Sequence, residues 1–131
     1  MIYLDSNVFI YAAVNTQLPG EKARSLLQRI QQGDEKAETS ALTFDEVFWA
    51  IKKLDFEAAL EACQALLNFP NLEIISADRD LALSALQIIK KYHLAPRDAI
   101  HAATEIAAKA EAVISTDTHF DKIKELKRRP L

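Results

Sequence analysis

The sequence predicts a three-layer α/β/α sandwich with a central parallel sheet. Short apolar runs of strand length alternate with longer segments of helical periodicity. Strands that are separated by helices pair in parallel through right-handed crossovers, which places helices on both faces of the sheet. The chain has 131 residues, half of them hydrophobic, and no evident linker or repeat. We therefore expect a single domain over residues 1–131 with a sizeable core.

The pattern predicts four strands and six helices. The strands are expected at residues 2–4, 38–42, 72–75 and 112–116. The helices are expected at residues 8–14, 21–32, 43–54, 56–69, 80–92 and 96–109. Gly33 and Pro70 are typical residues for ending the second and fourth helices.

Four acidic residues occupy positions that this fold would bring together. Asp5 and Asp117 directly follow the first and last predicted strands, whereas Glu46 and Asp98 lie in the first turns of helices. Ligands of open α/β sheets bind in the crevice outside the carboxyl ends of the strands. Carboxylates crowded there repel one another and favour a divalent cation that compensates their charge. The pattern indicates a hydrolase site for a hard metal ion.

Short polar residues adjoin these acids and are candidates for supporting them. Ser6, Asn7 and Thr116 are suited to orienting carboxylates or metal-bound waters. Asp121 comes four residues after Asp117, which would place it on the same face of a helical turn. We therefore consider Asp121 a fifth candidate ligand.

Each acid also has a purely structural interpretation. Asp is a preferred N-cap residue, so Asp5, Asp98 and Asp117 could each only cap a helix. The segment from Thr43 to Glu46 matches a capping box, in which the glutamate reaches back to the N-cap backbone. Capping does not require the caps to gather at one end of one sheet, whereas metal binding does. The joint pattern therefore favours metal binding.

Other chemistries have little support in the sequence. Only two glycines occur, so the phosphate-binding loops GxGxxG and Walker A are both absent. His93, His101, His119 and Cys63 are too scattered for a zinc site. We interpret His101, one turn beyond Asp98, as a packed or exposed helix histidine.

Charge and cysteine usage restrict the class further. The net charge of −3 argues against a protein that coats nucleic acid non-specifically, although it does not exclude a nuclease. The basic stretch 122–129 is either a solvated helix face with a frayed end or a phosphate contact. Cys63 fits a small core residue in a reducing compartment. With no signal peptide and no long apolar run, we expect a cytoplasmic protein without a membrane partner.

The acids point to metal-assisted phosphodiester hydrolysis. Mg²⁺ and Mn²⁺ prefer oxygen ligands, and a bound ion can activate water and stabilise the leaving oxygen. Asp5 and Asp98 are the first choices as direct ligands. Glu46 and Asp117 would complete the shell directly or through water, and Asp117 with Asp121 could hold a second ion.

The order and spacing of four segments are similar to those of a known family. These segments are YLDSN at residues 3–7, SALTFDEV at 40–47, RDAIHAA at 97–103 and ISTDTHFD at 114–121. Together they resemble the PIN-domain family, and within it the VapC-type toxins of prokaryotic toxin–antitoxin pairs. The resemblance covers essentially the whole chain. It implies Mg²⁺- or Mn²⁺-dependent RNA cleavage by Asp5, Glu46, Asp98 and Asp117, a homodimer, and a protein antitoxin.

Alternatives remain at this stage. The same motifs would suit a PIN-domain nuclease that processes RNA without an antitoxin, or a PIN-like module that only binds. A signalling receiver also binds Mg²⁺, but it would require a second acid beside Asp5. A phosphatase with an aspartate nucleophile would require Asp at the position of Asn7. We also expect part of the aromatic face formed by Phe44, Phe48 and Trp49 to be covered by a second copy or by an antitoxin helix.

Overall fold

A computed structural model describes residues 1–131 as a five-stranded sheet with six α-helices and one 3-10 helix. The strands are β1 (Ile2–Leu4), β2 (Ala37–Ser40), β3 (Leu72–Ile75), β4 (Val113–Ile114) and β5 (Arg128–Arg129). The α-helices are α1 (Ser6–Val14), α2 (Leu18–Gln31), α3 (Leu42–Lys52), α4 (Phe56–Leu67), α5 (Arg79–Tyr92) and α6 (Pro96–Ala108). The 3-10 helix is Thr118–Lys122. No helix is both long and apolar enough to cross a membrane.

The sheet is parallel throughout, with the order β3-β2-β1-β4-β5. Side chains alternate between its faces, so neighbouring residues of β1 enter different cores. Ile2 and Leu4 pack with buried residues of α1 to α4, whereas Tyr3 packs with those of α5 and α6. Cys63 is a buried residue of the first core, as expected. The predicted α/β/α sandwich is confirmed.

Local signals explain where the helices start and stop. Asp55 caps α4 by accepting a hydrogen bond from the Glu57 N–H at 3.0 Å. Asp78 caps α5 in the same way, with the Leu81 N–H at 2.9 Å. Gly33 adopts a φ of +86° just after α2, a conformation that glycine enters without strain. The bounds of the helices lie within three residues of the predicted ones.

The strand β5 was missed by the sequence-based prediction. The stretch 122–129 was expected to be a helix face with a frayed end or a phosphate contact, whereas its last part pairs with β4. The Val113 N–H donates to the Lys127 carbonyl at 2.8 Å, and the Ser115 N–H donates to that of Arg129 at 3.2 Å. Two arginines give no apolar alternation, so the usual strand signal is absent.

The start of α3 corrects a second expectation. The helix begins at Leu42, one residue before the predicted cap, and no side chain caps it from position 41. Ser40 ends β2, and its hydroxyl accepts from the Leu42 N–H at 3.1 Å. Thr43 is buried, and its hydroxyl pairs with that of Thr39 at 2.6 Å. The capping-box interpretation of Glu46 is therefore wrong.

Candidate active site

The four predicted acids gather at the carboxyl end of the sheet. Asp5 follows the central strand β1, and its N–H donates to the Ile114 carbonyl of β4 at 3.1 Å. Asp117 lies three residues beyond the end of β4. Beside them lie Glu46 of α3 and Asp98 in the first turn of α6. The strand order reverses between β1 and its two neighbours, which is where ligand sites form in open α/β sheets.

Asp5 lies at the centre of the first group. Its carboxylate is 6% exposed and accepts hydrogen bonds from the Ser6 N–H at 2.8 Å and the Asn7 amide at 3.1 Å. The Ser115 hydroxyl donates a third, at 2.6 Å. Ligand atoms of Asp5, Glu46 and His101 lie within 4.8 Å of one another. This carboxylate is fixed in place by three donors from two segments.

His101 is the residue that the sequence-based interpretation undervalued. It is packed inside the protein, as that interpretation allowed, but it also belongs to the site. Its Nε2 donates to Glu46 and lies 3.9 Å from an oxygen of Asp5. Its Nδ1 is paired with the Tyr3 hydroxyl at 2.6 Å. The sequence did contain a signal for this role. His101 comes three residues after Asp98, which places both side chains on one side of α6.

Asp98, Asp117 and His119 form a second group, whose ligand atoms also lie within 4.8 Å of one another. The Nδ1 atom of His119 is 3.0 Å from Asp117 and 3.6 Å from Asp98. Unlike Asp5, these side chains are partly open to solvent. A substrate could therefore reach this side of the site directly.

Capping and clustering coexist at two of the acids. Asp5 caps α1, and Asp117 caps the 3-10 helix through the His119 N–H at 2.9 Å. Asp98 does not cap α6, since the cap position is Ala95 and no side chain bonds there. The two interpretations of Asp5 and Asp117 were not exclusive, because each carboxylate caps a helix through one oxygen and still belongs to a group of candidate ligands.

Burial and mutual repulsion shape the titration of the site. Burial is the main cause that raises the pKa of Asp5. Burial also raises the pKa of Asp98, with further contributions from the charges of Asp117 and Asp5. Burial alone would lower the pKa of His101, but the hydrogen bond and charge of Glu46 outweigh it and raise that pKa. The site is short of positive charge.

A hard divalent cation fits this set of donors. Carboxylate oxygens are the preferred ligands of Mg²⁺ and Mn²⁺, and the repulsion around Asp98 would be relieved by a cation. The Oδ1 atom of Asn7 is buried without a hydrogen-bond partner, beside the carboxylate of Asp5. Such an oxygen can accept from a metal-bound water. The chemistry of the donors therefore agrees with a metal site.

The candidate ligand Asp121 and the candidate supporting residue Thr116 do not join the two groups. Arg128 clamps the carboxylate of Asp121 with contacts of 2.8 and 3.2 Å, and Asp121 belongs to neither group of candidate ligands. A 3-10 helix has three residues per turn, so a spacing of four does not keep Asp121 on the side of Asp117. Thr116 is exposed, and its neighbour Ser115 supplies the hydroxyl instead, because side chains alternate after β4.

Several solved structures share this fold. VapBC2 from Rickettsia felis, bound to promoter DNA, has 18% identity and a TM-score of 0.78 over 100% of this chain and 99% of that one. A toxin–antitoxin complex from Klebsiella pneumoniae has 22% identity and a TM-score of 0.72, covering 96% and 95% of the two chains. Mycobacterium tuberculosis VapC20, a toxin that cleaves the sarcin–ricin loop, has 14% identity and a TM-score of 0.77, covering 92% and 93%.

Sequence comparison identifies the family. No curated protein matches the chain closely in sequence. The model of the PIN domain matches residues 2–126, which is nearly the whole chain and includes every acid of the site. The chain belongs to the PIN-domain family.

Proposed function

We propose that this protein is a divalent-metal-dependent endoribonuclease and the VapC-type toxin of a type II toxin–antitoxin pair. The observation that carries the proposal is the pair of acidic groups, Asp5 with Glu46 and Asp98 with Asp117, whose charges act on one another in a PIN-domain chain. The solved structures that share the fold support the toxin role, since they include toxin–antitoxin complexes and an RNA-cleaving toxin. A signalling receiver is excluded by the family.

The chain's own residues would divide the work as follows. Asp5 and Asp98 would bind Mg²⁺ or Mn²⁺ directly, with Glu46 and Asp117 completing the shell directly or through water. The ion, when bound, supplies a polarised water and positive charge for the phosphodiester. Ser115 keeps the Asp5 carboxylate in position. We leave Asp121 outside the ligand set because Arg128 already pairs with it.

His101 would act as a positioning residue. Its imidazole is wedged between the Tyr3 hydroxyl and Glu46, so it fixes the direction in which that carboxylate points. The partly exposed Asp117 and its neighbour His119 would face the incoming phosphate. The positioning of Glu46 and the contact with the phosphate would thus both come from side chains that already lie at the site.

Chelation tests the proposed activity. EDTA should abolish cleavage of single-stranded or looped RNA by the purified protein, and added Mn²⁺ or Mg²⁺ should restore it. Gel assays on a labelled RNA with and without chelator measure this. Cleavage that continues undiminished in EDTA would refute metal-dependent catalysis.

Glu46→Gln should remove activity while leaving the melting temperature nearly unchanged. The amide keeps the size of the side chain and a hydrogen bond to His101, but it lacks the negative charge that a cation requires. Asp45→Asn is the matched control, because Asp45 is adjacent, exposed and paired only with Arg97 at 3.6 Å. Initial rates and thermal melts should separate the two variants. Full activity in Glu46→Gln would make Glu46 structural.

An apolar groove is suited to the proposed antitoxin. It encloses about 350 Å³ between α1, α2, α3 and α4, and eleven of its twelve lining residues are hydrophobic. Lining residues include Phe9, Ala12, Leu27, Ala62, Ala65 and Phe69. An amphipathic helix could lay its apolar face in such a groove. On the neighbouring aromatic face, Phe48 packs against Phe44 and Phe56, while Phe44 stays exposed, so the expected cover of that face by a second copy or an antitoxin helix stays a prediction.

Blocking the groove should release the toxin from its antitoxin. Ala65→Arg places a long cation in the groove and is expected to weaken binding by about 100-fold or more, while RNA cleavage persists. Ala107→Arg is the control, since this alanine is an exposed residue of α6 outside the groove. Titration calorimetry with the small protein encoded next to this gene measures both. Equal affinity for the two variants would place the antitoxin elsewhere.

The proposed function also includes an oligomeric state and a cellular location. We place the protein in the cytoplasm as a homodimer, and the exposed Leu83 and Leu86, one turn apart on α5, support a contact between copies. Light scattering that gives a strict monomer would contradict the dimer. An RNA-processing nuclease is the second candidate, and the lack of a short adjoining reading frame would favour it.

A further inference from the structure

Trp49 has a position that neither the core nor the active site accounts for. It is the only tryptophan of the chain and is 54% exposed, on a helix whose buried face is formed by Val47 and Ile51. Large aromatic side chains normally bury 150–250 Å² each, so leaving an indole in water forgoes a large hydrophobic gain. The side chain is therefore available to a ligand.

Two lysines accompany this indole. The Nζ atoms of Lys52 and Lys53 lie over the Trp49 ring, 5.5 and 5.4 Å from its centre, so a base that stacks on the indole would displace an ammonium group from its face. Asp45, one turn before Trp49, is already paired with Arg97 at 3.6 Å, which leaves the lysines as the uncompensated charges around the ring. The surface therefore combines an aromatic plane with positive charge.

We propose that Trp49, Lys52 and Lys53 form a subsite for single-stranded RNA, in which the indole stacks on a nucleobase and the lysines contact the adjoining phosphates. The inference rests on the proposed nuclease function and names how its substrate is held. Aromatic planes flanked by cations are the general means of binding single strands without sequence readout, since every base has a π-face.

The subsite is adjacent to the carboxylates that would cut the strand. Trp49 is three residues after Glu46, so the two side chains lie near each other on α3, displaced by roughly 4.5 Å along its axis. Lys53 is a further turn along, roughly 10 Å from Glu46 by the same helical rise. A strand with its scissile phosphate at the acids would thus extend its neighbouring nucleotides over this face.

Charge favours RNA over a protein partner on this face. An apolar protein surface that covered Trp49 would also remove Lys52 and Lys53 from water without a compensating charge, which is costly. Lysine is depleted in protein interfaces for this reason. Phosphates would satisfy both ammonium groups while the base covers the indole. The alternative is that a second copy or an antitoxin covers this face, and the experiments below distinguish it from RNA binding.

The lone tryptophan provides a direct signal for the test. In Asp98→Asn protein, which is expected to bind RNA without cutting it, a short single-stranded RNA should quench the Trp49 fluorescence. In the otherwise unchanged protein with Mn²⁺, Trp49→Ala should raise KM for RNA cleavage by about 10-fold with little change in kcat. Trp49→Phe should retain most of the affinity, because it keeps a stacking plane.

The two lysines can be tested separately from the indole. Replacing Lys52 and Lys53 by Ala should lower the salt dependence of RNA binding, with a slope smaller by about 1 to 2. Leu54→Ala, at a neighbouring residue that is 72% exposed, should change neither KM nor the salt slope.

Three outcomes would overturn the subsite. The first is an unchanged KM in Trp49→Ala together with no quenching by RNA. The second is a Trp49→Ala protein that loses its dimer or antitoxin binding in light scattering while KM stays the same, which would make this face a protein interface. The third is a parent protein that neither binds nor cuts RNA, in which case the proposed nuclease function fails as well.

Discussion

Asp98→Asn is expected to abolish RNA cleavage and, in the metal-free protein, to raise the melting temperature. Activity should fall by about 100-fold or more, because a proposed ligand of the ion is lost. Stability should rise because burial and the charges of Asp117 and Asp5 raise the pKa of Asp98, so its ionised form opposes folding. The loss of an acid from the first turn of α6 offsets part of this gain.

The dependence on pH and metal identifies the cause of this stabilisation. The folded pKa of Asp98 exceeds the unfolded one, so the stability of the parent is highest below the unfolded pKa and decreases as pH rises through the folded pKa. The advantage of the Asn variant should therefore vanish below about pH 4. Mn²⁺ at 100 times its Kd should stabilise the parent by about 2.7 kcal/mol and the variant much less.

Thermal melts of both proteins, with and without Mn²⁺, measure these effects together. Asp80→Asn is a suitable control, because Asp80 lies in the first turn of α5 and is exposed. The Asp80→Asn variant should lose the small stabilisation that an acid gains from the helix dipole, and its melting temperature without metal should not rise. If Asp98→Asn melts at a lower temperature than the parent without metal, and Mn²⁺ raises both melting temperatures equally, Asp98 only supports its helix.

Glu105→Gln should be the variant that stabilises the protein most at alkaline pH. Glu105 of α6 is 2% exposed, Glu38 of β2 is 4% exposed, and each has a carboxylate oxygen without a hydrogen-bond partner. Burial, followed by the charge of Glu38, raises the pKa of Glu105 to about 8. The folded protein thus holds a proton at neutral pH that the unfolded chain releases.

Proton binding by Glu105 makes the stability of the parent protein depend on pH. The carboxyl of Glu105 would ionise near 4.5 in the unfolded chain, so folding loses stability between that pH and about 8. Glutamine avoids this loss and should be more stable at pH 8 by roughly 4 kcal/mol, with little gain at pH 4. Urea melts across this range measure the difference. Glu61→Gln, at an exposed position of α4, should behave as the parent does. A gain for Glu105→Gln that is equal at pH 4 and pH 8 would rule out ionisation as its cause.

The fold was predictable because most of its elements carry strong local signals. Helices such as α5 and α6 have periodic apolar positions and clear ends, and their predicted bounds were nearly correct. The strand β5 could not be found in the same way, since its two arginines join β4 through backbone hydrogen bonds and give no apolar alternation. The start of α3 was displaced because Thr43 is buried against Thr39, a tertiary contact that outweighs a local capping preference.

The candidate site was predictable in its acids and less so in their partners. Asp5 and Asp117 could be placed because each directly follows a strand of a parallel sheet. The contact between His101 and Glu46 joins residues 55 positions apart, and no local pattern encodes it. The choice between Ser115 and Thr116 depends on which side of the strand faces Asp5. A one-residue change in the end of the predicted strand is enough to reverse it.

The hydrogen bond from Ser115 to Asp5 joins residues 110 positions apart, and this separation has a consequence during protein synthesis. A ribosome that adds roughly 5–20 residues per second needs about 6–20 s to make the segment between them. The Asp5 carboxylate therefore lacks the Ser115 hydroxyl and Asp117 until the chain has been translated beyond residue 117. The site of the proposed nuclease therefore stays incomplete during that interval, while the chain is still close to the messenger RNA that encodes it.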